Sequence, residues 1–272
     1  MENGTCVTAV PLFKAKEKDM HTKDLNDAFD RAPPLSLDDI KLSPDEVMHQ
    51  HDYLVHTVLR IVVQNGGNDL QRYQKDVMES QPTTPKKIEV HKTELHPLPA
   101  MDINELSTSG NADVIAVIKK ELNIWLSKDK ILETVKLVAG DQLSIARLCA
   151  VAAERAGNEG GATALHWILF VPGLFHYKMA TTHGIIITHL GLPNHDQKNP
   201  ASLHAHNSLL RRKPIILSSL PPFRTCQDLV FISLYVRVLH CLLLVSGKSS
   251  LQEYTKGLTW EKLKEDAAHL VD

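Results

Sequence analysis

The stretch KLVAGDQLSIARL, residues 136–148, holds the pattern that decides the fold. An apolar run leads into Gly140 and Asp141, and apolar residues at helical spacing follow from Ser144 onward. The same order recurs in HWILFVPG, residues 166–173, which precedes LFHYKMATTHGIIITHL. Two strand-turn-helix units with short turns are typical of parallel pairing. We therefore predict a helix-rich α/β fold with a small parallel sheet.

Asp141 and His176 both follow a predicted strand, where ligands gather in parallel α/β layers. The Asp141 carboxylate has two interpretations, a cap on the helix behind it or a metal ligand in a catalytic centre. Two-metal phosphoryl transfer needs several carboxylates that converge, and Asp196 in PNHDQKNP is the best available partner. The catalytic candidates are Asp141, Asp196 and His176. The shortage of acids favours the helix cap.

Composition and turn signals divide the chain into four segments. Ser43 and Glu46 form an S-x-x-E capping box at the start of the first confident helix, and a shorter helix is predicted near 22–30. In chain order we predict a largely flexible N-terminal arm over 1–42, a helical subdomain over 43–80, an extended Pro-containing connector over 81–110, and an α/β core with C-terminal helices over 111–272.

The C-terminal third is predicted to be all-helical. Thr225 and Asp228 form a second capping box, which opens the apolar stretch LVFISLYVRVLHCLLLV, residues 229–245. This stretch falls short of a bilayer span and carries Arg237 and His240, so we predict a buried core helix and no membrane association. Because the helix is apolar nearly all round, we expect it to be the most buried element. Its predicted core residues are Leu229, Val236, Leu243 and Leu244.

The charge of the chain is unevenly distributed. Residues 1–110 hold 12 Lys and Arg against 18 Asp and Glu, whereas residues 160–250 hold eight against two. A basic segment of this kind is typical of an anionic partner such as nucleic acid, although a solvated surface gives the same count. The RRK motif, residues 211–213, lies at the end of a predicted helix, where the helix dipole favours cations, so the motif also has a purely structural interpretation. The nucleic-acid-binding candidates are Arg211, Arg212, Lys213 and Arg224.

Cysteine and histidine usage predicts an intracellular protein without a metal centre. The four cysteines have no C-x-x-C spacing, and three of them lie in apolar helical patterns where buried thiols are common. The N-terminus lacks a signal-peptide pattern, so we expect a cytoplasmic or nuclear location. Seven histidines fall between 166 and 206, but no H-E-x-x-H or paired Cys-His spacing occurs. We expect structural roles for them, even though His176 and His183 could converge on one helix and His204 and His206 on one extended segment.

Several motifs carry a resemblance to a known family. They are LVAGDQLSIARL, VPGLFHYKM, THGIIITHLG, NPASLHAHNSLL and SSLPPFRTCQDLVFISLYVRVLHCLLLVSGK. Over residues 40–272 the chain resembles an uncharacterised fungal family, domain of unknown function 6589. The resemblance implies no established activity, but it is compatible with descent from a transposase with an RNase H-like core in which Asp141 binds metal. Relatives often have an acid near Thr181 and continue past Asp272, so we interpret the chain as a truncated copy.

Two functional hypotheses follow. The first is a non-catalytic interaction module without a cofactor, derived from a mobile element, that binds a protein partner or nucleic acid through its basic half. The second is a nuclease or strand-transfer enzyme of RNase H-like type, dependent on Mg²⁺ or Mn²⁺ and centred on Asp141 and Asp196. The small number of acids between 141 and 258 favours the first hypothesis.

Overall fold

A computed structural model describes residues 4–84, 87–123, 132–157, 165–192, 199–219 and 221–272. The chain divides into two compact units. Unit 1 comprises Met1–Pro34 and Glu89–Lys178, and unit 2 comprises Leu35–Ile88 and Met179–Asp272. Each unit therefore contains two segments that are distant in sequence.

The described elements, in chain order, are β1 (Thr8–Ala9), α1 (Thr22–Arg31), α2 (Pro44–Asn65), α3 (Asn68–Gln71), α4 (Gln74–Glu79), β2 (His96–Pro97), α5 (Thr108–Asn123), β3 (Lys136–Gly140), α6 (Gln142–Glu154), β4 (Ile168–Pro172), α7 (Leu174–His189), α8 (Leu203–Leu209), α9 (Phe223–Ser246), α10 (Leu251–Tyr254) and α11 (Trp260–Val271). A short 3-10 helix covers Glu17–Asp19. The protein is thus helix-rich, as predicted.

The parallel sheet of unit 1 confirms the central fold prediction. Strands β3 and β4 pair in parallel, with Lys136 opposite Ile168 and Gly140 opposite Pro172. One residue, Asp141, separates β3 from α6, and one residue, Gly173, separates β4 from α7, so both strand-turn-helix units are present. Two parallel strands do not establish the RNase H-like core that the family resemblance implies.

The core of unit 1 forms where α5 and α6 pack against each other and α6 covers the sheet. Its most enclosed side chain is that of Trp167, which is 1% exposed. Burial of such apolar side chains is the main stabilising contribution to the unit. The buried members of this cluster are Met101, Ala112, Ile115, Ile118, Ile145, Leu148, Val151, Leu165, Trp167 and Ile168.

The N-terminal arm predicted over 1–42 is tied to unit 1 along part of its length. Thr5 and Met101 exchange two backbone hydrogen bonds of 2.9 Å, and the Val135 amide donates to the Met20 carbonyl at 2.7 Å. Strand β1 pairs with β2 in the same unit. Backbone pairing of short extended segments produces no sequence periodicity, which explains why the arm reads as flexible. The short helix predicted near 22–30 is present as α1.

Unit 2 brings the first helices together with the C-terminal ones. Ser43 and Glu46 form the predicted capping box of α2, and Gly66 and Gly67 follow its end. Gly67 has a φ of 96°, which permits the sharp turn into α3. Helix α2 packs against α9 and α11. The compact units therefore group the segments differently from the predicted linear division into 43–80 and 111–272.

Helix α9 buries opposite faces in its two halves. With about 100° per residue, Cys226, Leu229 and Ser233 share one side of the helix, and Val238 and Leu242 lie on the opposite side. The first side faces a small cluster that also contains residues of α7 and α8. The second side faces the main core built with α2 and α11. Each half of α9 therefore buries one side only, and these two sides are opposite.

The predicted core of α9 is partly wrong. Leu229 is fully buried and Leu243 packs partly buried against the main core. Val236 and Leu244, however, are 60% and 66% exposed. Both lie in the half of the helix where the buried side has changed, and sequence periodicity does not reveal this change. Among the described residues, α9 is the helix long and apolar enough to cross a membrane. Only 22% of its apolar window is buried, so the prediction that α9 is the most buried element is wrong.

The predicted start of α9 is also wrong. The helix begins at Phe223 with Pro222 as its N-cap, and the side chain of Pro222 makes no capping hydrogen bond. Thr225 and Asp228 therefore lie inside the helix and do not form a capping box.

Candidate functional site

The carboxyl edge of the parallel sheet brings together two of the predicted catalytic residues. The Gly173 amide donates to the Gly140 carbonyl at 2.8 Å, which extends the pairing into both turns. A Cβ atom on Gly173 would lie 3.1 Å from that carbonyl oxygen and 3.7 Å from His176 Cδ2. Asp141 is the N-cap of α6 and His176 lies in the first turn of α7, so both follow their strands as predicted, and the charge on His176 contributes to the pKa of Asp141.

Asp141 is a helix cap in this structure. The Ser144 amide donates to Asp141 Oδ1 at 2.6 Å, at the first turn of α6. The same hydrogen bond is the main reason that the pKa of Asp141 lies below its ordinary value, and the charge of His176 lowers it further. The exposed carboxylate is therefore ionised at neutral pH and interacts favourably with the positive end of the α6 dipole.

The predicted basic residues lie in and beside a loop that follows α8. The Arg212 amide donates to the Asn207 carbonyl at 3.1 Å, and the Asn207 side chain donates to the Lys213 carbonyl at 3.0 Å. The Arg212 guanidinium donates to the Thr225 carbonyl at 3.2 Å and lies 3.8 Å from Asp228. We call residues 211–213 the basic loop. These contacts fix it against the first turns of α9.

Three of the four predicted cations are available at this surface. Arg211, Lys213 and Arg224 are exposed, and no salt bridge joins them to an acid in the described part of the chain. Arg224 is the second residue of α9 and neighbours Thr225, which the Arg212 side chain contacts. Arg212 thus has a positioning role, while its neighbours present positive charge to solvent.

Comparison with known proteins identifies the family of this chain. The model of the Family of unknown function (DUF6589) matches residues 29–272, which is most of the chain. The chain belongs to this family. No curated protein and no solved structure matches it. Membership of DUF6589 therefore agrees with the resemblance of the sequence motifs. Because the function of the family is unknown, membership does not indicate an activity.

The second acid that the nuclease hypothesis requires is not placed in this DUF6589 structure. Asp196 lies outside the described residues. Within the ranges that the structure describes, no group of three or more His, Cys, Asp or Glu side chains is arranged to hold a metal ion. Asp141 and His176 could supply at most two ligands, and the Asp141 carboxylate already accepts the Ser144 hydrogen bond.

Two of the histidines predicted to be structural have clear partners. His183 Nε2 donates to the Pro221 carbonyl at 3.2 Å, and His206 Nε2 donates to the Pro200 carbonyl at 2.9 Å. His206 Nδ1 accepts a 2.5 Å hydrogen bond from Ser233 Oγ. Because Ser233 is 4% exposed in the middle of α9, a substrate cannot reach this Ser-His pair. His204 and His206 belong to helix α8, so the predicted extended segment is wrong.

The cysteines differ from the expectation of general burial. Cys226 is buried, and this burial raises the pKa of its thiol. Cys149 and Cys241 lie on α6 and α9 but are exposed. Sequence reasoning also missed the buried pair of Tyr254 and Asp266, in which the tyrosine hydroxyl donates to Asp266 Oδ2 at 2.9 Å. The polar residue inside the apolar pattern of α11 was the available signal for this contact.

Proposed function

We propose that this DUF6589 chain is a non-catalytic module that binds nucleic acid through the basic loop and the start of α9. The observation that carries the proposal is the fixed arrangement of Arg211, Lys213 and Arg224 without acidic partners in the described residues. Lys and Arg side chains contribute most of the affinity of proteins for the phosphate backbone. Arginine is especially suited because its planar guanidinium binds phosphate oxygens with two hydrogen bonds.

The start of α9 adds positive potential to the same surface. Helix α9 has 24 residues, and its N-cap Pro222 supplies no side-chain acceptor for the first turn. The first amides of a long helix carry a positive partial charge that attracts anions. The basic loop is held beside this helix end by Arg212, so the two contributions act on the same partner.

The non-catalytic part of the proposal rests on the state of Asp141. Its carboxylate caps α6, which is a sufficient structural reason for an acid at this turn.

We extend the proposal to descent from a fungal mobile-element protein and to a cytoplasmic or nuclear location. The motif resemblance supports the first extension, and the cysteine usage supports the second.

Fluorescence polarisation with labelled duplex DNA, single-stranded DNA and single-stranded RNA tests the proposal. We expect dissociation constants of about 10⁻⁴–10⁻⁶ M for one or more of these probes, the range of sequence-independent binding. Replacement of Arg211, Lys213 and Arg224 together by Gln should abolish most of this binding, because each removed cation eliminates a phosphate contact.

A matched control removes three positive charges elsewhere. Arg31, Lys41 and Lys75 each lie close to an acid on the same or an adjacent turn, and all three side chains are exposed. Their combined replacement by Gln should leave nucleic-acid binding nearly unchanged. Equal loss of binding in both triple variants would show that net charge alone determines affinity, which contradicts a defined basic surface. Absence of binding by the parent protein at low salt would also refute the proposal.

A further inference from the structure

A polar cavity lies within unit 2, between α2 and the segment that contains α4. Its volume is about 220 Å³. It exists because the chain reverses at Gly66 and Gly67 and returns alongside α2, with Val77 buried against the main core. The hydrogen-bonding and charged side chains that line it include Tyr53, His56, Arg60, Gln64, Gln74 and Gln81.

The charged side chains in the described lining of this cavity are positive. Arg60 and the titratable groups Tyr53 and His56 come from α2, and α4 contributes Gln74, Val77 and Met78. Among the described residues, the lining therefore contains a guanidinium and several amides but no carboxylate. No salt bridge joins Arg60 to an acid in the described part of the chain.

His56 has an unused hydrogen-bonding atom beside Arg60. Its Nδ1 atom is buried and has no hydrogen-bond partner in the described part of the chain. Burial lowers the pKa of His56, and the positive charge of Arg60, one helical turn further on, lowers it again. The ring is therefore neutral at neutral pH. A buried nitrogen without a partner is unfavourable, and a bound ligand would relieve this cost.

We propose that this cavity binds a small organic molecule through a carboxylate or phosphate group. Arg60 matches both groups because its planar fork donates two parallel hydrogen bonds to an oxyanion. An anion beside Arg60 also offsets the charge that lowers the pKa of His56, so this pKa should rise when the anion binds, and His56 Nδ1 can serve as a second donor to it. The glutamine amides bind polar groups on the body of the ligand. The volume lies below the roughly 300–1,000 Å³ of cavities for drug-sized ligands, so the ligand is small.

NMR titration of the full chain with inorganic phosphate and, separately, with acetate tests this proposal. We expect saturable shifts of the His56 ring and of α2 and α4 amides with one or both probes at concentrations up to about 50 mM, since isolated oxyanions bind weakly. Saturation with phosphate alone assigns a phosphorylated ligand, and saturation with acetate alone assigns a carboxylate. The pKa of His56 should rise in the presence of the binding probe.

Variants distinguish this site from general charge effects. Arg60→Gln should weaken binding about tenfold or more, and Arg60→Lys, which keeps the charge but loses the fork, should weaken it less. Lys75→Gln removes an exposed cation from α4 and should leave binding unchanged. Arg211→Gln, in the basic loop, should also leave it unchanged, which separates this site from the nucleic-acid surface. Absence of saturable shifts with both probes, or unchanged saturation in Arg60→Gln, would overturn the proposal.

Discussion

Replacement of Asp141 by Asn or by Ala separates a capping role from a metal-binding role. The side chain contributes one hydrogen bond, from the Ser144 amide to Oδ1 at 2.6 Å, and one negative charge at the start of α6. Asn keeps an oxygen acceptor at that position, so it loses only the interaction of the charge with the helix dipole, about 0.3–1 kcal/mol and at the low end for an exposed group. Ala also loses the acceptor, so we expect it to cost about 1 kcal/mol more than Asn.

Hydrogen exchange over residues 142–154 is the suitable assay, because it reports on the stability of α6 when two compact units need not unfold together. The difference between the parent and Asn variants should also depend on pH. The pKa of Asp141 is lowered in the folded protein, so its stabilisation is present above the ordinary value of 3.8 and is lost as pH falls through the lowered pKa. Hydrogen exchange of the same amides in the parent and Asn variants, compared at each pH between 3 and 7, measures this.

Two results would refute the capping role. The first is an Asn variant that is destabilised as much as the Ala variant, because the hydrogen-bond acceptor would then be irrelevant. The second is tight binding of Mg²⁺ or Mn²⁺ by the parent protein, measured by calorimetry, that disappears in the Asn variant. Metal-dependent cleavage of DNA by the parent but not by this variant would further establish the alternative, a nuclease centred on Asp141.

Three further predictions concern unit 2. Leu242→Ala should lower the free energy of unfolding, measured with urea, by about 2–5 kcal/mol. Leu244→Ala, on the exposed side of the same helix, should change it by less than about 0.5 kcal/mol. Equal effects would contradict the burial of one side in this half of α9. Tyr254→Phe should cost about 1.5–3 kcal/mol by the same measurement, because a buried hydrogen bond to the Asp266 carboxylate is lost, and an unchanged midpoint would exclude that bond. The pKa of His56 is lowered in the folded protein, so the unfolded chain binds a proton at higher pH and the free energy of unfolding falls as pH decreases below about 6.5. His56→Gln should reduce this pH dependence. An equal slope of stability against pH in both proteins would contradict the prediction.

The features that could be predicted from the sequence depend on contacts within a few residues. The caps formed by Ser43 and Asp141 each join a side chain to an amide three residues later, so the pattern contains both partners. The parallel pairing of β3 and β4 was also predictable, because two short strand-turn-helix units leave few other arrangements. The proximity of Asp141 and His176 follows from that pairing.

The features that could not be predicted depend on distant partners. The buried side of α9 changes between Ser233 and Val238 because different helices cover its two halves, and an all-round apolar sequence contains no sign of the change. The capping pattern at Thr225 is overridden because the helix already begins after Pro222. The cavity beside Arg60 could not be predicted because α4, which is not adjacent in sequence, lines its other side. The sequence does place a histidine and an arginine one helical turn apart on α2, and this pair could have indicated a polar site.

The salt dependence of DNA binding tests the central claim, that the basic loop and the start of α9 bind nucleic acid, most directly. Binding of a labelled duplex is measured by fluorescence polarisation between about 50 and 200 mM salt, and the logarithm of affinity is compared with the logarithm of salt concentration. If Arg211, Lys213 and Arg224 each contact a phosphate, their joint replacement by Gln should make the slope less negative by about 2.7, at 0.9 per contact. A slope that is the same in the parent protein and the variant would contradict the claim.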